Sequence, residues 1–165
     1  MTNHNDTTAM VENPGVAIKP VNPDFVGETL VAGRADGPIF KISQPLSFWG
    51  GFDANSGLII DERHPEYGSN LAGKIIVMPH AKGSSSSSSV LAEAIRNGNG
   101  PLGIILRERD LIICIGAIVA KELYDADIPV IVLDHGNYEM VSCASGHISI
   151  SPGQNDGQSN LALHD

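Results

Sequence analysis

The sequence is short of cysteine, aromatic residues and positive charge, and each shortage narrows the possible functions. Of 165 residues only two are cysteine, Cys114 and Cys143, and neither belongs to a CxxC pair. The chain cannot by itself supply the ligands of a tetrahedral zinc or three thiolates to an iron–sulfur cluster. Two isolated cysteines without a secretory leader are expected as buried thiols rather than as a disulfide. Lys and Arg number 10 against 19 Asp and Glu, for a formal net charge of −9. The cations are scattered and form no basic patch, which counts against nucleic acid and against an anionic membrane surface as partners. Long apolar runs are missing too. The longest, Leu111–Ala120, is about half of what crossing a bilayer requires. Met1 to Val11 is polar, with neither a basic start nor an apolar stretch, so a cytoplasmic location is expected.

What remains is a globular composition. Hydrophobic residues make up 42% and charged residues 18%, enough apolar material for one domain of this length to bury a core without a staple. Eighteen glycines and ten prolines imply many tight turns, which suits a β-rich or mixed fold better than a helical bundle. Residues 1–24, rich in Asn, Thr and Pro with no apolar period, read as a flexible N-terminal arm. The domain proper is assigned to 25–165.

From Phe25 short apolar segments alternate with Gly, Pro and Asn. Strands are expected at Thr29–Ala32, Ile39–Ile42, Leu46–Trp49, Gly57–Ile60 and Lys74–Met78, with a turn at Asp53–Gly57. This half reads as a β-meander or small barrel. The second half changes rhythm. After the strand Ile75–Met78 come a loop at Gly83–Ser89, a helix at Val90–Arg96 and a strand at Leu102–Leu106. A buried helix at Leu111–Leu123 and a strand at Ile128–Leu133 follow, and one more strand is expected at Gly146–Ser151 before a polar end. The β-α-β-α-β order predicts parallel strands. The fold class is α/β, with a β-rich first half packed on a parallel β-α-β layer.

Ser84–Ser89 is six serines in a row. Such a tract can be a low-complexity linker, but it sits where a loop between a strand and a helix belongs, preceded by Lys82-Gly83. Backbone N–H groups, small hydroxyls and a helix dipole there suit phosphate or carboxylate. One or two of the serines, such as Ser86 or Ser87, are needed to cap the helix. A second dense stretch is Leu46–Asp53, with Phe48, Trp49 and Phe52 in five residues and the pair Gly50-Gly51. It is either a core strand ending in a glycine turn or a place where backbone approaches a ligand. In the second case Trp49 and Phe52 form an apolar wall and Asp53 stands at the mouth. Among the histidines, His64, His4 and His164 are expected to be exposed and idle. His80 stands close enough to the serine loop to line its site. His135 follows a strand's carboxyl end, where open α/β sheets place ligand contacts, but it reads first as an ordinary loop histidine. Arg107-Glu108-Arg109-Asp110 reads as a solvated charge cluster in which Arg107 or Arg109 could hold a carboxylate.

Five separated motifs occur in one order: Phe48-Trp49-Gly50-Gly51-Phe52-Asp53, Leu71-Ala72-Gly73-Lys74, Gly83 followed by serines, Gly116-Ala117-Ile118-Val119 and Ile128-Pro129-Val130. In that order they resemble the small subunit of aconitase X, a branch of the aconitase superfamily, over about Phe25 to Asp134. The resemblance implies a swivelling β/β/α domain that closes over a large subunit carrying an iron–sulfur cluster. It also implies hydro-lyase activity, on cis-3-hydroxy-L-proline in bacterial members or on mevalonate 5-phosphate in archaeal ones. By the same resemblance, Gly83-Ser84-Ser85 matches the start of the Gly-Ser-Ser-Arg stretch of aconitases. Ser84 is then the candidate base and Ser85 a substrate ligand. Ser86 stands where aconitases carry Arg, so a carboxylate contact is expected from Lys82 or from the large subunit. The substrate-binding set is completed by Gly83, Ser86, Trp49, Gly50, Gly51 and Asp53. The unbroken serine run favours the hydroxyproline substrate. A reading from another class, a phosphohistidine carrier using His80, is disfavoured because His80 precedes the glycine and does not open the helix.

Overall fold

The computed structural model describes residues 23–164; nearly all of the expected N-terminal arm lies outside the described residues. Three consecutive apolar runs dictate the centre of the fold. Ile75–Met78 (β3), Gly103–Leu106 (β4) and Val130–Val132 (β5) are parallel neighbours, linked by α1 (Ser86–Arg96) and α2 (Leu111–Tyr124). Their side chains alternate between two cores. Ile76, Met78, Ile104, Leu106 and Val130 pack toward the helices, meeting Leu91, Ala94, Ile113 and Ala117. Ile75, Val77, Ile105 and Ile131 point the other way, into a barrel interior shared with Phe25, Ile148, Ile150 and Leu161. Because both faces are covered, these strands read as unbroken apolar runs instead of alternating ones.

The barrel is closed by the strands on either side. β1 (Phe25–Val31) runs antiparallel to β5, and β2 (Ala35–Lys41) runs parallel to β3. β6 (His147–Pro152) and β7 (Gln158–His164) form a hairpin, β6 pairing with β2 and β7 with β1. Closure leaves this sheet without a free edge. The expected α/β class is found, but the β-rich first half is not a separate layer: the parallel strands and β1, β2 and the C-terminal hairpin share one closed barrel, because both edges of the parallel set find partners. A two-stranded flap, Phe52–Asp53 against Leu58–Ile59, packs Phe52 and Ile59 into the helix-side core around the expected turn at Asp53–Gly57.

Several local expectations are corrected. Leu46–Trp49 is not a strand. Leu46 makes a single bridge to Ala81, and Phe48–Gly51 is a kinked turn with Gly50 at φ 79°, a conformation a side chain would disfavour. The serine tract is a loop only at its start, since α1 begins at Ser86. The backbone N–H groups of Ser87 and Ser88 donate to the carbonyls of Ser84 and Ser85 at 3.0 and 3.1 Å, which winds the tract into the first turn. The chain after β5 is not an open loop. Asp134 caps a helix, α3 (His135–Cys143), which adds Tyr138 and Val141 to the barrel interior. The polar end contains β7, whose Leu161-Ala162-Leu163 is too short an apolar signal to stand out. His64 is buried, not exposed and idle. Its Nε2 lies 3.3 Å from the Gln44 carbonyl and its Nδ1 3.1 Å from Glu66 Oε2, so its polar atoms tie together the segments after β2 and after the flap.

Candidate functional site

The carboxyl ends of β3, β4 and β5 share one rim of the barrel, and the serine loop leaves that rim from β3. Two backbone anchors fix its path. Lys82 N–H donates to the Leu46 carbonyl at 3.0 Å, and Ala81 N–H donates to Asp110 Oδ2 at 2.7 Å. Gly83 then turns with φ 97°, and a Cβ built there would lie 2.6 Å from Ser47 Oγ. Only glycine fits both the backbone conformation and the space. Ser84, Ser85 and Ser86 follow and are exposed. Among the described residues no hydroxyl of these three forms a hydrogen bond, and neither do their backbone N–H groups. Ser85 stands at the N-cap without using its side chain as a cap. The positive end of α1 is therefore presented outward with unused donors, an arrangement that suits an anion.

The Trp49-Gly50-Gly51 turn lies against this loop. Trp49 N–H donates to Ser87 Oγ at 3.1 Å, and Ser47 Oγ donates to the Trp49 carbonyl at 2.8 Å. Ser87 is fully buried. The role expected of Ser87 as a possible cap is thus replaced by one as a clamp between α1 and the aromatic turn. Trp49 itself is 62% exposed, a large apolar ring on the surface, whereas Phe52 turns inward and meets Phe48 edge-on at 5.2 Å. The expected wall of Trp49 and Phe52 is therefore Trp49 alone. Gly51 abuts Asp61, whose carboxyl is held below its ordinary value, chiefly by the backbone N–H of Arg63. The Arg63 guanidinium and the Lys82 ammonium act in the same direction.

Lys82, Gly83, Ser84, Ser85, Ser86, Trp49, Gly50 and Gly51 thus gather around one loop and one turn. Asp53 is less free. Its carboxylate accepts from Ser56 Oγ at 2.5 Å and from Asn55 N–H at 3.1 Å, and the Ser56 bond is the first cause of its lowered pKa. It holds the flap turn. His80 borders the loop with Nδ1 2.7 Å from the Ala81 carbonyl, and it does not open α1, in keeping with the case against a phosphohistidine carrier.

A concavity of about 610 Å³ lies elsewhere, lined by Glu28, Arg107, Asp134 and His135 among others. Its charges are engaged. Arg107 lies 3.2 Å from Glu108, Glu28 is paired with Arg109, and Asp134 caps α3. Its charged groups are thus already paired, whereas the serine loop has unused donors. In the sequence Asp110 belongs to the charge cluster 107–110. The signal that distinguishes it is an Asp directly before an apolar run, the mark of a helix start. Ser47 and Asp61 carried no sequence signal, because only folding brings them beside Gly83 and Gly51. Among the described residues no three His, Cys, Asp or Glu side chains cluster as metal ligands. Cys114 is buried and Cys143 exposed, both as free thiols. These donors do not fit an iron–sulfur cluster. No helix among the described residues is long and apolar enough to cross a membrane.

Comparison with known proteins identifies the fold. Residues 24–155 match the family model of the aconitase X swivel domain. The chain is 45% identical over 106 residues to a cis-3-hydroxy-L-proline dehydratase of Pseudomonas aeruginosa, an alignment covering 64% of this chain and 18% of that protein. It thus spans about a fifth of that relative's length. It is 32% identical over 138 residues to the phosphomevalonate dehydratase small subunit of Methanosarcina mazei, covering 81% of this chain and 94% of that one. The crystal structure of Thermococcus kodakaraensis aconitase X in its holo-form superposes with a TM-score of 0.65 at 30% identity, over 82% of this chain and 95% of that chain. With a family model matched over most of its length and the same fold in a solved member, this chain belongs to the aconitase X swivel-domain family.

Proposed function

We propose that this chain is the swivelling small subunit of a hydro-lyase acting on cis-3-hydroxy-L-proline, with Ser84 as the base that takes the proton α to the substrate carboxylate. The observation that carries the reading is the Gly83-Ser84-Ser85 loop, exposed at a helix start with its hydroxyls and amides unused. A serine hydroxyl is a poor base, so its alkoxide must be stabilised. The amides of Ser84–Ser86, the dipole of α1 and the Lys82 ammonium act in that direction. Ser85, Ser86 and Lys82 share the substrate carboxylate, and Trp49 with Gly50-Gly51 forms the side wall. The loop is exposed, so a second protein surface completes the pocket. That surface is a large subunit of aconitase type, which also carries the iron–sulfur cluster. The identity to the Pseudomonas aeruginosa dehydratase supports the hydroxyproline substrate.

The alternative, mevalonate 5-phosphate, is favoured by the near-complete coverage of the Methanosarcina mazei small subunit. Free amides at a helix start suit a phosphate equally well. The assembled pair, incubated with each compound and followed by mass spectrometry, decides between them. Loss of water from hydroxyproline to give a cyclic imine carboxylate is expected, and turnover of the phosphate alone overturns the substrate assignment. In the same assembly Ser84→Ala is expected to lower kcat by about 10²–10⁴-fold. Because its hydroxyl is exposed and unbonded, Tm should stay unchanged. A Ser84→Ala enzyme with wild-type kcat refutes the base assignment.

A further inference from the structure

Resting on Ser84 as the base, we propose that Asp110 is a positioning residue for the serine loop, acting through the backbone of Ala81 without touching substrate. A carboxylate that only caps a helix needs one oxygen. Asp110 Oδ1 does that work, accepting from Ile112 N–H at 2.9 Å and Ile113 N–H at 3.1 Å. Its other oxygen reaches across to the chain leaving β3, accepting from Ala81 N–H at 2.7 Å. The next amide, Lys82 N–H, is held by the Leu46 carbonyl, and the Ala81 carbonyl lies 2.7 Å from His80 Nδ1. Two consecutive amides are thus fixed, and Gly83 is the one joint between them and Ser84. One carboxylate ties the start of α2 to the approach of the loop at the start of α1. It bonds three N–H groups, and charge-assisted bonds of this kind are the strong ones. Releasing Ala81 leaves the Lys82–Leu46 bond as the one backbone anchor before Gly83, a single point about which the loop can rotate, so Ser84 Oγ loses its place while the helices keep theirs.

The separation of the two tasks makes the proposal testable. Asp110→Ser keeps a good helix cap but is too short to reach Ala81. Asp110→Asn has a single acceptor oxygen and must give up one task. Each full-length variant, assembled with the large subunit, is assayed on the substrate that the wild-type pair turns over. Amide hydrogen exchange is followed at Ala81 and along α2 in the full chain. Asp110→Ser is expected to lower kcat on the order of 10- to 100-fold with KM little moved, the cost of a misplaced group. Ala81 exchange should accelerate while the α2 amides stay protected. Should Asp110→Ser fold poorly, Asp110→Asn is read by the same two measurements. Wild-type kcat beside fast Ala81 exchange overturns the proposal, and so does a loss of activity that only tracks loss of α2 protection. If Ser84→Ala has shown that Ser84 is not the base, Ala81 exchange decides alone. Unchanged exchange in Asp110→Ser then overturns the positioning role, and acceleration confined to Ala81 and the loop supports it.

Discussion

Gly83→Ala probes the loop at its tightest point. The residue sits at φ 97°, where an L-residue is strained by about 1–3 kcal/mol. The added Cβ would lie 2.6 Å from Ser47 Oγ and 3.4 Å from Ser47 Cβ. Ser47 must therefore swing away and give up its 2.8 Å bond to the Trp49 carbonyl, a loss of about 0.5–1.5 kcal/mol. Together the two effects amount to about 1.5–4.5 kcal/mol, or a fall in Tm of roughly 3–18 °C for a domain of this size. The same overlap can also be relieved by moving the loop, which displaces Ser84, so under the proposed function kcat of the chain paired with a large subunit should fall as well. Ser47→Ala removes the obstructing oxygen. Unfolding of the wild type, both single variants and Gly83→Ala/Ser47→Ala, by heat and by urea, closes a double-mutant cycle. Because the Ser47 bond cannot be lost twice, the double variant should be less destabilised than additivity requires, with a coupling of about 1 kcal/mol. Additivity within about 0.3 kcal/mol would show that Ser47 is not the obstacle. An unchanged Tm in Gly83→Ala would refute the left-handed turn itself.

Further outcomes follow from other close contacts. Ser87→Ala leaves Trp49 N–H without its acceptor and should cost about 1–3 kcal/mol in urea unfolding, whereas exposed Ser89→Ala should change stability by less than about 0.5 kcal/mol. Gly116→Ala would place a Cβ 2.9 Å from Leu91 Cδ2 and 3.0 Å from the Ser88 carbonyl. Despite the better helix propensity of alanine, a net loss of about 1–3 kcal/mol is expected from the strained α1–α2 contact, and a rise in Tm would contradict it. Burial, and secondarily the charge of Asp110, raises the Cys114 thiol above its ordinary 9.0. Raising a thiol pKa favours the neutral form, so at pH 8 a thiol reagent should label exposed Cys143 alone in the native chain and both cysteines after unfolding. Prompt labelling of Cys114 in the native state would refute its burial.

The sequence by itself determined the parallel β-α-β-α-β half, because Ile75–Met78, Gly103–Leu106 and Val130–Val132 are apolar on both faces. Only strands covered on both sides require that pattern. It also placed Gly83 and the serines at a strand-to-helix joint, since composition and position agree there. Where the chain's own periodicity is weak, tertiary contacts decided. Leu46–Trp49 has strand composition, but its backbone donors and acceptors are taken by Ala81, Lys82, Ser47 and Ser87, so it becomes a turn. β7 has few apolar residues and exists because β1 and β6 offer it partners on both sides. His64 lies in a polar segment and is buried because Gln44 and Glu66 meet its ring nitrogens. Within the serine tract the residues are chemically identical, so nothing local distinguishes them. Packing alone buries Ser87 as a clamp and leaves Ser84 exposed, because successive residues on a helix start face different directions and only one of those directions is filled by the Trp49 turn.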